Sequence, residues 1–420
     1  MKEIKPHKIA DCEVSVPGSK SVTHRMLIAA ALSDGICTIK NSLISEDTQF
    51  TIEALKQMGM QIDVGSDSMR VYGRGGRLGA CKEPIYLGNS GTSMRLLTGA
   101  AALGKGTYIL TGTARMQMRP IKDLLDALQL MGVKARSLED NGCPPVEITG
   151  ATISIDKVTI NCQKSSQYLS ALLLIAPCTQ NGLEIRVSGG PVSRPYVDLT
   201  IELMKTFGLR LGREDYRLFK VPGQQVYHAG EFSVEADCSQ AAYFWGAAAI
   251  TGAEIKVMGV NAHSAQGDVR FVGLLEKMGC RSFKESDGIR VCGGPLSAIK
   301  ADLADMPDQV PTLAVVAAFA KGTTVIKNVA HLKSKESDRL SATVTELKKM
   351  GIDAACSENA LVVKGGKPKG SIIETYNDHR IAMSFAIAGL NVPGICIRNE
   401  SCVEKSFPAF WQVFEGLYQS

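Results

Sequence analysis

Six copies of one pattern run through this chain, and that repetition limits its possible folds more than any other feature. In each copy an Ala/Leu-rich apolar stretch ends in a glycine turn. A β-branched strand follows, then a polar loop, then an amphipathic segment that usually closes in Met-Gly or a variant of it. The apolar stretches cover 26–32, 96–103, 169–176, 241–250, 312–320 and 381–390. The turn glycines are Gly35, Gly106, Gly182, Gly252, Gly322 and Gly394, about 70 to 76 residues apart. Glycine turns and Ala-rich helices are common singly, but six copies in phase are not a chance recurrence. The period exceeds the roughly 20–50 residues of solenoid repeats.

Each copy reads as helix, strand, helix and two short strands, for example 61–64 and 69–72 after the first amphipathic segment. That is a small α+β subdomain. A chain of 420 residues should hold at least two cores. Two groups of three copies, divided near residue 235, satisfy both facts. Leu124, Leu125, Leu128 and Met131 lie at i, i+1, i+4 and i+7, so that segment buries one helical face. The Ala-rich helices are apolar nearly all round and should be buried entirely.

Composition narrows the function. Apolar residues at 45% and charged residues at 21% are the balance of a globular protein, which sets aside a disordered or coiled-coil chain. A net charge of +5 without a basic block, and 6% aromatics with no stacking motif beside the basic clusters, argue against nucleic acid as a partner. The longest apolar runs, such as 171–177 and 313–320, fall short of the roughly 20 residues of a membrane span. The start, Met1-Lys2-Glu3-Ile4-Lys5, has no apolar signal core, so a cytoplasmic location is expected. The 12 cysteines have no CxxC spacing and read as reduced thiols filling small apolar holes. The six histidines form no HxH or HxxxH pair, so no metal site is expected.

A polar cluster precedes each buried helix. In order these are 18–25 (GSKSVTHR), 88–95 (GNSGTSMR), 164–167 (KSSQ), 237–240 (DCSQ), 307–309 (PDQ) and 376–380 (YNDHR). Ser, Thr, Asn and Asp belong there as N-caps, and for Asp237 and Asp378 capping alone is a sufficient explanation. Capping does not call for Lys20, Arg25, Arg95 or Arg380. Cations in a first helical turn oppose the helix dipole by about 0.3–1 kcal/mol each. Their recurrence suggests sites where exposed N–H groups, Lys and Arg together hold anions.

The loops after the strands add Arg115 and Arg119, Arg194, Lys333 and Lys335, and Lys405. Any one could be a solvated basic face. Their recurrence at equivalent places suggests one basic cleft for small, multiply anionic ligands such as phosphates and carboxylates. Among these cations stand Asp47, Asp308, Glu336 and Asp378. Lys335-Glu336 and Asp338-Arg339 could be plain helical ion pairs. In an anion site, however, a carboxylate is suited to moving a proton rather than to holding substrate.

Together, Pro17-Gly18-Ser19-Lys20-Ser21, Leu87-Gly88-Asn89-Ser90-Gly91-Thr92, the loop 115–120, Pro307-Asp308, Lys335-Glu336-Ser337-Asp338-Arg339 and Asn377-Asp378-His379-Arg380 resemble the 5-enolpyruvylshikimate-3-phosphate synthases, of the enolpyruvyl transferases. The likeness covers essentially the whole chain, in order. It implies an α/β (α+β) fold: a two-domain inside-out α/β barrel, each domain built of three βαβαββ repeats. The N-terminal domain would be 17–235 and the C-terminal domain 1–16 with 236–420, with the active site in the interdomain cleft. It implies transfer of the enolpyruvyl group of phosphoenolpyruvate to the 5-hydroxyl of shikimate 3-phosphate, through a tetrahedral intermediate that loses phosphate. No cofactor and no metal are implied, and a monomer is expected.

By the same likeness, Asp308 would deprotonate the hydroxyl. Glu336 would handle the methylene proton, with Lys20 close to the reacting centre. Lys20, Gly91, Arg119, Gln167, Arg339, Arg380 and Lys405 would hold phosphoenolpyruvate. Lys20, Ser21, Arg25, Ser165, Ser166, Gln167, Ser193, Asp308, His331 and Lys335 would hold shikimate 3-phosphate, with Tyr196 near it. Asp47, Asn89, Asp378 and His379 would support these residues from behind. His331 stands where many members have Asn, and Leu96 where many have Pro. Gly91 has no side chain to crowd the enol ligand, which implies sensitivity to glyphosate.

Two rivals carry discriminating features. The sister enzyme acting on UDP-N-acetylglucosamine has a reactive Cys in the loop equivalent to 115–119, whereas this loop carries Met116, Gln117 and Met118. A non-catalytic anion-binding paralogue would gain little from Asp308 and Glu336 beside so many cations.

Overall fold

The computed structural model describes residues 1–418. Among them are twelve α-helices: α1 (Lys20–Leu32), α2 (Glu46–Gln57), α3 (Gly91–Ala101), α4 (Lys122–Leu130), α5 (Gln167–Ile175), α6 (Pro195–Thr206), α7 (Cys238–Thr251), α8 (Phe271–Met278), α9 (Val310–Ala318), α10 (Arg339–Lys349), α11 (His379–Ala388) and α12 (Phe410–Gly416). The odd-numbered helices are the Ala/Leu-rich ones, and they are buried on nearly every side. Small residues let several such helices pack closely together: α1, α3 and α5 touch one another in series, and α7, α9 and α11 do so pairwise. The even-numbered helices bury one face, as Leu124, Leu125, Ala127 and Leu128 do in α4.

The chain divides into two compact units, Gly18–Val234 and Met1–Pro17 with Glu235–Ser420. In the N-terminal unit, three four-stranded sheets accompany α1, α3 and α5. One of them orders Ile85–Tyr86, Thr107–Thr111, Val146–Thr149 and Lys134–Ser137, with the first pair parallel and the rest antiparallel. This follows from local connectivity. A buried helix returns the chain as a parallel crossover, and the amphipathic helix then leads into a hairpin. The sheet 157–161, 183–189, 218–221, 212–214 repeats the arrangement around α5.

Two first strands are exchanged between repeats. Cys12–Ser15 precedes α1 in sequence, yet it pairs in parallel with Glu254–Met258 after α7, setting Val14 against Val257. Glu231–Ser233 precedes α7 and pairs with Ile36–Lys40 after α1, setting Phe232 against Ile39. The chain therefore crosses between units at 17/18 and again at 234/235. Within the N-terminal unit Gly18 lies where a Cβ would come 1.9 Å from the Asn41 carbonyl oxygen, so only glycine fits at that crossing. Asn41 Nδ2 donates to the Val234 carbonyl at 2.7 Å, fixing the other crossing strand beside it.

In the C-terminal unit the sheet 12–15, 254–258, 288–292, 281–285 and the sheet 300–302, 323–327, 360–364, 353–356 follow the same order. The sixth copy departs from the expected two trailing strands. Its sheet has three strands, and Lys2–Ile4 pairs antiparallel with Ile395–Ile397 where a hairpin strand stands in the other copies. Ile4 is 1% exposed and its β-carbon lies over Gly389, so the N-terminal strand packs on α11. The core of this unit is continuous from Ile4 through Trp245, Phe271 and Val315 to Phe414. Among the described residues, no helix is long and apolar enough to cross a membrane.

Candidate active site

In the N-terminal unit the starts of α1, α3 and α5 are linked by polar contacts. Lys20, the first residue of α1, puts Nζ 2.9 Å from Asp47 Oδ2. Asp47 is held in the first turn of α2 by a capping box between Ser45 and Thr48. Its carbonyl accepts from Ser93 Oγ at 3.2 Å, and Ser93 Oγ lies 2.6 Å from Oγ of Ser90, the N-cap of α3. From α5, Gln167 donates through Nε2 to Thr92 Oγ1 at 3.0 Å and accepts from Arg95 Nη1 at 2.9 Å. Arg95 also reaches the Pro120 carbonyl at 3.2 Å and lies over the Tyr168 ring. Arg119 donates through Nη1 to Asn89 at its carbonyl, 2.9 Å, and at Oδ1, 3.1 Å. Gly91 sits under both guanidiniums: a Cβ there would lie 2.5 Å from Arg119 Nη2 and 2.6 Å from Arg95 Nη1.

Arg25 is 1% exposed and is held by neutral oxygens: Thr200 Oγ1 at 2.7 Å, the Ser21 carbonyl at 2.9 Å, Ser170 Oγ at 3.2 Å and the Tyr196 carbonyl at 3.3 Å. Burial pulls this guanidinium down to about 10, a shift the nearby Tyr196 opposes. A buried cation held only by neutral groups is one that an anion would stabilise. Arg25 and Arg95 are the sixth residue of α1 and the fifth of α3, so they lie past the first turn. The argument from the helix dipole therefore applies to Lys20 and Arg380 but not to these two. Ser165 Oγ accepts from the Gln167 N–H at 3.2 Å, and Ser166 is buried at the N-cap of α5. Ser193, with φ of 54°, turns the chain into α6 and accepts the Tyr196 N–H at 3.2 Å.

In the C-terminal unit one guanidinium gathers three carboxylates. Arg339, the first residue of α10, donates to Asp308 Oδ1 at 2.7 Å, Glu336 Oε2 at 2.7 Å, and Asp378 Oδ2 and Oδ1 at 2.8 and 3.2 Å. Asp378 also caps α11 through the Arg380 N–H at 2.9 Å and accepts from Ser337 Oγ at 2.9 Å. Asp237 caps α7 at the N–H groups of Ser239 and Gln240. So both aspartates that capping could explain do cap, and Asp378 carries an ion pair in addition. Arg380 holds Asp308 Oδ2 at 3.2 Å and Tyr243 OH at 3.0 Å. Burial alone would push the Asp308 carboxyl up, but Arg380, Arg339 and Lys335 outweigh it and hold the group well below the usual carboxylate range. His331, in the turn before Lys335, is pushed down to about 3 by burial first and then by Lys335, so it is neutral. Lys405 is buried at the end of the turn Glu400–Lys405, which packs on α11, and His379 is buried in the first turn of α11. Among the described residues, no cluster of His, Cys, Asp or Glu could hold a metal ion.

The site residues expected from sequence are divided between the two units. Lys20, Ser21, Arg25, Gly91, Arg119, Ser165, Ser166, Gln167 and Ser193 are in the first. Asp308, His331, Lys335, Glu336, Arg339, Arg380 and Lys405 are in the second. Sequence reading missed the groups behind them: Tyr243 on Arg380, Ser337 on Asp378, and Ser170 with Thr200 on Arg25. Tyr243, Ser170 and Thr200 sit inside helices among apolar neighbours, where a single polar residue gives no local signal, and Ser337 stands in a polar segment that does not single it out.

A model of the family described as EPSP synthase (3-phosphoshikimate 1-carboxyvinyltransferase) matches residues 4–414. The chain belongs to the EPSP synthase family. A curated relative from Syntrophobacter fumaroxidans, named 3-phosphoshikimate 1-carboxyvinyltransferase, is 43% identical over 420 residues, 99% of each chain. One of the same name from a Sulfurovum species is 41% identical over 99% of this chain and 98% of its own. Among solved structures, an EPSP synthase from Acinetobacter baumannii superposes with a TM-score of 0.82 at 29% identity, covering 99% of this chain and 97% of the other. Family membership accounts for the mixed α/β architecture of repeated helix–strand units described above.

Proposed function

We propose that the two clusters serve the family's reaction, in which the carboxyvinyl group of phosphoenolpyruvate passes to the 5-hydroxyl of shikimate 3-phosphate with release of phosphate. The protein is a transferase of the shikimate pathway to aromatic amino acids. The observation that carries the assignment of roles is the pairing of Asp308 and Glu336 around Arg339. A purely anion-binding surface would leave that guanidinium to its ligand, whereas addition–elimination needs two groups that move protons beside cations that hold the anions.

In this reading each substrate is held by the residues that the family likeness names. Lys20, Gly91, Arg119, Gln167, Arg339, Arg380 and Lys405 hold phosphoenolpyruvate. Lys20, Ser21, Arg25, Ser165, Ser166, Gln167, Ser193, Asp308, His331 and Lys335 hold shikimate 3-phosphate. Asp308 accepts the hydroxyl proton as oxygen adds to C2, and Glu336 places a proton on C3. Collapse of the tetrahedral adduct expels phosphate, which the cations stabilise, while the proton on C3 returns to Glu336. The ligands are small molecules, and the protein works as a cytoplasmic monomer without cofactor.

Replacing Asp308 by Ala tests the roles. Turnover should fall by about 10²–10⁴-fold. Phosphoenolpyruvate binding should be kept, because Arg339 and Arg380 both lose a competing carboxylate. Turnover within a few-fold of wild type would remove Asp308 from the chemistry.

A further inference from the structure

The N-terminal unit holds a line of buried polar side chains that the reaction described above does not use. His24 lies on α1, Thr51 on α2 and Ser93 on α3, and all three are buried. His24 Nδ1 lies 2.8 Å from Thr51 Oγ1, which lies 2.8 Å from Ser93 Oγ. Ser93 Oγ lies 2.6 Å from Ser90 Oγ and 3.2 Å from the Asp47 carbonyl oxygen. Proton counting gives the line a direction. A carbonyl can only accept, so the one Ser93 hydroxyl proton goes to Asp47. Ser93 then accepts from Thr51 and from Ser90. With the Thr51 proton committed to Ser93, Thr51 accepts from His24, so His24 Nδ1 carries hydrogen. The donors therefore run from His24 through Thr51 and Ser93 to the Asp47 carbonyl.

The far end of this line stands behind the expected phosphoenolpyruvate ligands. Lys20 and His24 are four residues apart on α1, and Asp47 and Thr51 are four apart on α2, so each pair shares a helix face. Lys20–Asp47 and His24–Thr51 are thus successive rungs between the two helices. Ser90 caps α3, which opens at Gly91, and Asn89 beside it holds Arg119. We propose that His24 is a positioning residue for phosphoenolpyruvate: its Nδ1–H, relayed through Thr51 and Ser93, fixes where the Lys20 ammonium and the start of α3 stand. The inference rests on the functional reading above, which puts Lys20, Gly91 and Arg119 on that ligand.

Loss of the His24 donor leaves Thr51 Oγ1 to find another inside a buried interface, and a turn of that hydroxyl takes its proton from Ser93. Ser93 then loses the contact that locks it between α2 and the α3 cap. A displacement of about 1 Å in a positioning group far from the chemistry can cost about a hundredfold. Arg25 is the next residue on α1 but faces α5 and α6 through Ser170 and Thr200, so shikimate 3-phosphate binding serves as an internal control.

The test is the initial rate of phosphate release by the full chain against phosphoenolpyruvate concentration, at saturating shikimate 3-phosphate. His24→Leu should raise KM for phosphoenolpyruvate by about ten- to a hundredfold and change kcat less. His24→Asn, whose amide nitrogen can donate from the place of Nδ1, should restore most of that loss. Thr51→Val breaks the line from α2 and should match His24→Leu, and the double variant should be no worse than either alone. Calorimetry with shikimate 3-phosphate alone should show affinity within about threefold of wild type in each. A wild-type KM in His24→Leu, an Asn variant no better than the Leu variant, or single effects that multiply in the double variant would overturn the inference, as would an equal loss of shikimate 3-phosphate affinity. If His24→Leu does not fold, Thr51→Val against Thr51→Ser, which keeps the hydroxyl, decides in its place. All these failures leave a wild type that releases phosphate. A wild type that releases none would overturn the functional reading itself, and this inference with it.

Discussion

Gly91→Ala is a substitution the fold should tolerate and the ligand should not. Gly91 opens α3 and is absent from the positive-φ glycines, so alanine needs no change of backbone. In a helix, alanine is favoured over glycine by about 1 kcal/mol. The new methyl, however, would lie 2.5 Å from Arg119 Nη2, 2.6 Å from Arg95 Nη1 and 2.8 Å from Arg119 Cζ. Ordinary contact needs about 3.5 Å, so the Arg119 fork must withdraw by about 1 Å. It is tethered by its two bonds to Asn89 and can move only by turning away from the space above Gly91. Loss of one charge-assisted hydrogen bond costs about 1.5–3 kcal/mol. That corresponds to roughly a tenfold to hundredfold rise in KM for phosphoenolpyruvate, since 1.4 kcal/mol is tenfold. Glyphosate, which the family likeness implies competes there, should weaken in parallel. Initial rates of phosphate release against phosphoenolpyruvate concentration, together with thermal unfolding, measure both sides. A wild-type KM in the variant would show that Arg119 does not serve the ligand. A Tm lowered by many degrees would show that the glycine is needed for folding instead.

Three further outcomes follow from buried charges. Asp268 is pushed up to about 6, mainly by burial and next by the charge of Asp308. The folded protein therefore keeps a proton that the unfolded chain releases, and stability falls as pH rises from about 4 to 6. Asp268→Asn should be more stable than wild type at pH 7 by about 1–3 kcal/mol in urea unfolding and equal to it near pH 4; no gain at pH 7 would refute the assignment. His331 shows the opposite linkage. Burial holds it down to about 3, so between about pH 6.5 and 3 the unfolded chain binds a proton that the native state refuses, and stability is lost as pH falls. His331→Asn should flatten that slope in acid unfolding curves, and an identical slope would place the sensitivity elsewhere. Arg25→Gln removes a buried cation whose partners are neutral oxygens. It should leave an unliganded protein that still folds, while shikimate 3-phosphate affinity drops by about tenfold or more by calorimetry; unchanged affinity would make Arg25 a structural strut.

The repeat was legible because each copy writes its own punctuation. Buried helices carry no polar face, and a glycine such as Gly252, with φ of 80°, must close the turn after α7. The family likeness implied that 1–16 goes with the C-terminal half, but the strand partners of Cys12–Ser15 and Glu231–Ser233 were not legible in the local pattern. Strand partners are chosen by tertiary position, and each of these short strands looks locally like the start of the repeat it precedes. The same holds for Lys2–Ile4, whose partner lies near the other end of the chain. In the candidate site, cations where capping needs none drew attention to Lys20, Arg95 and Arg380. The convergence of Asp308, Glu336 and Asp378 on Arg339 spans from i,i+3 to 39 residues, and only folding brings them together. Arg25 looked like an N-terminal anion ligand, but it is buried a turn deeper, among hydroxyls contributed by α5 and α6.

The central claim is that this chain moves a carboxyvinyl group between two anions. Phosphate release from phosphoenolpyruvate by the purified protein, with shikimate 3-phosphate or UDP-N-acetylglucosamine as acceptor, tests it most directly. Release should require shikimate 3-phosphate and should be absent with the nucleotide sugar. Release with the nucleotide sugar, or none with shikimate 3-phosphate at saturating phosphoenolpyruvate, would overturn the assignment.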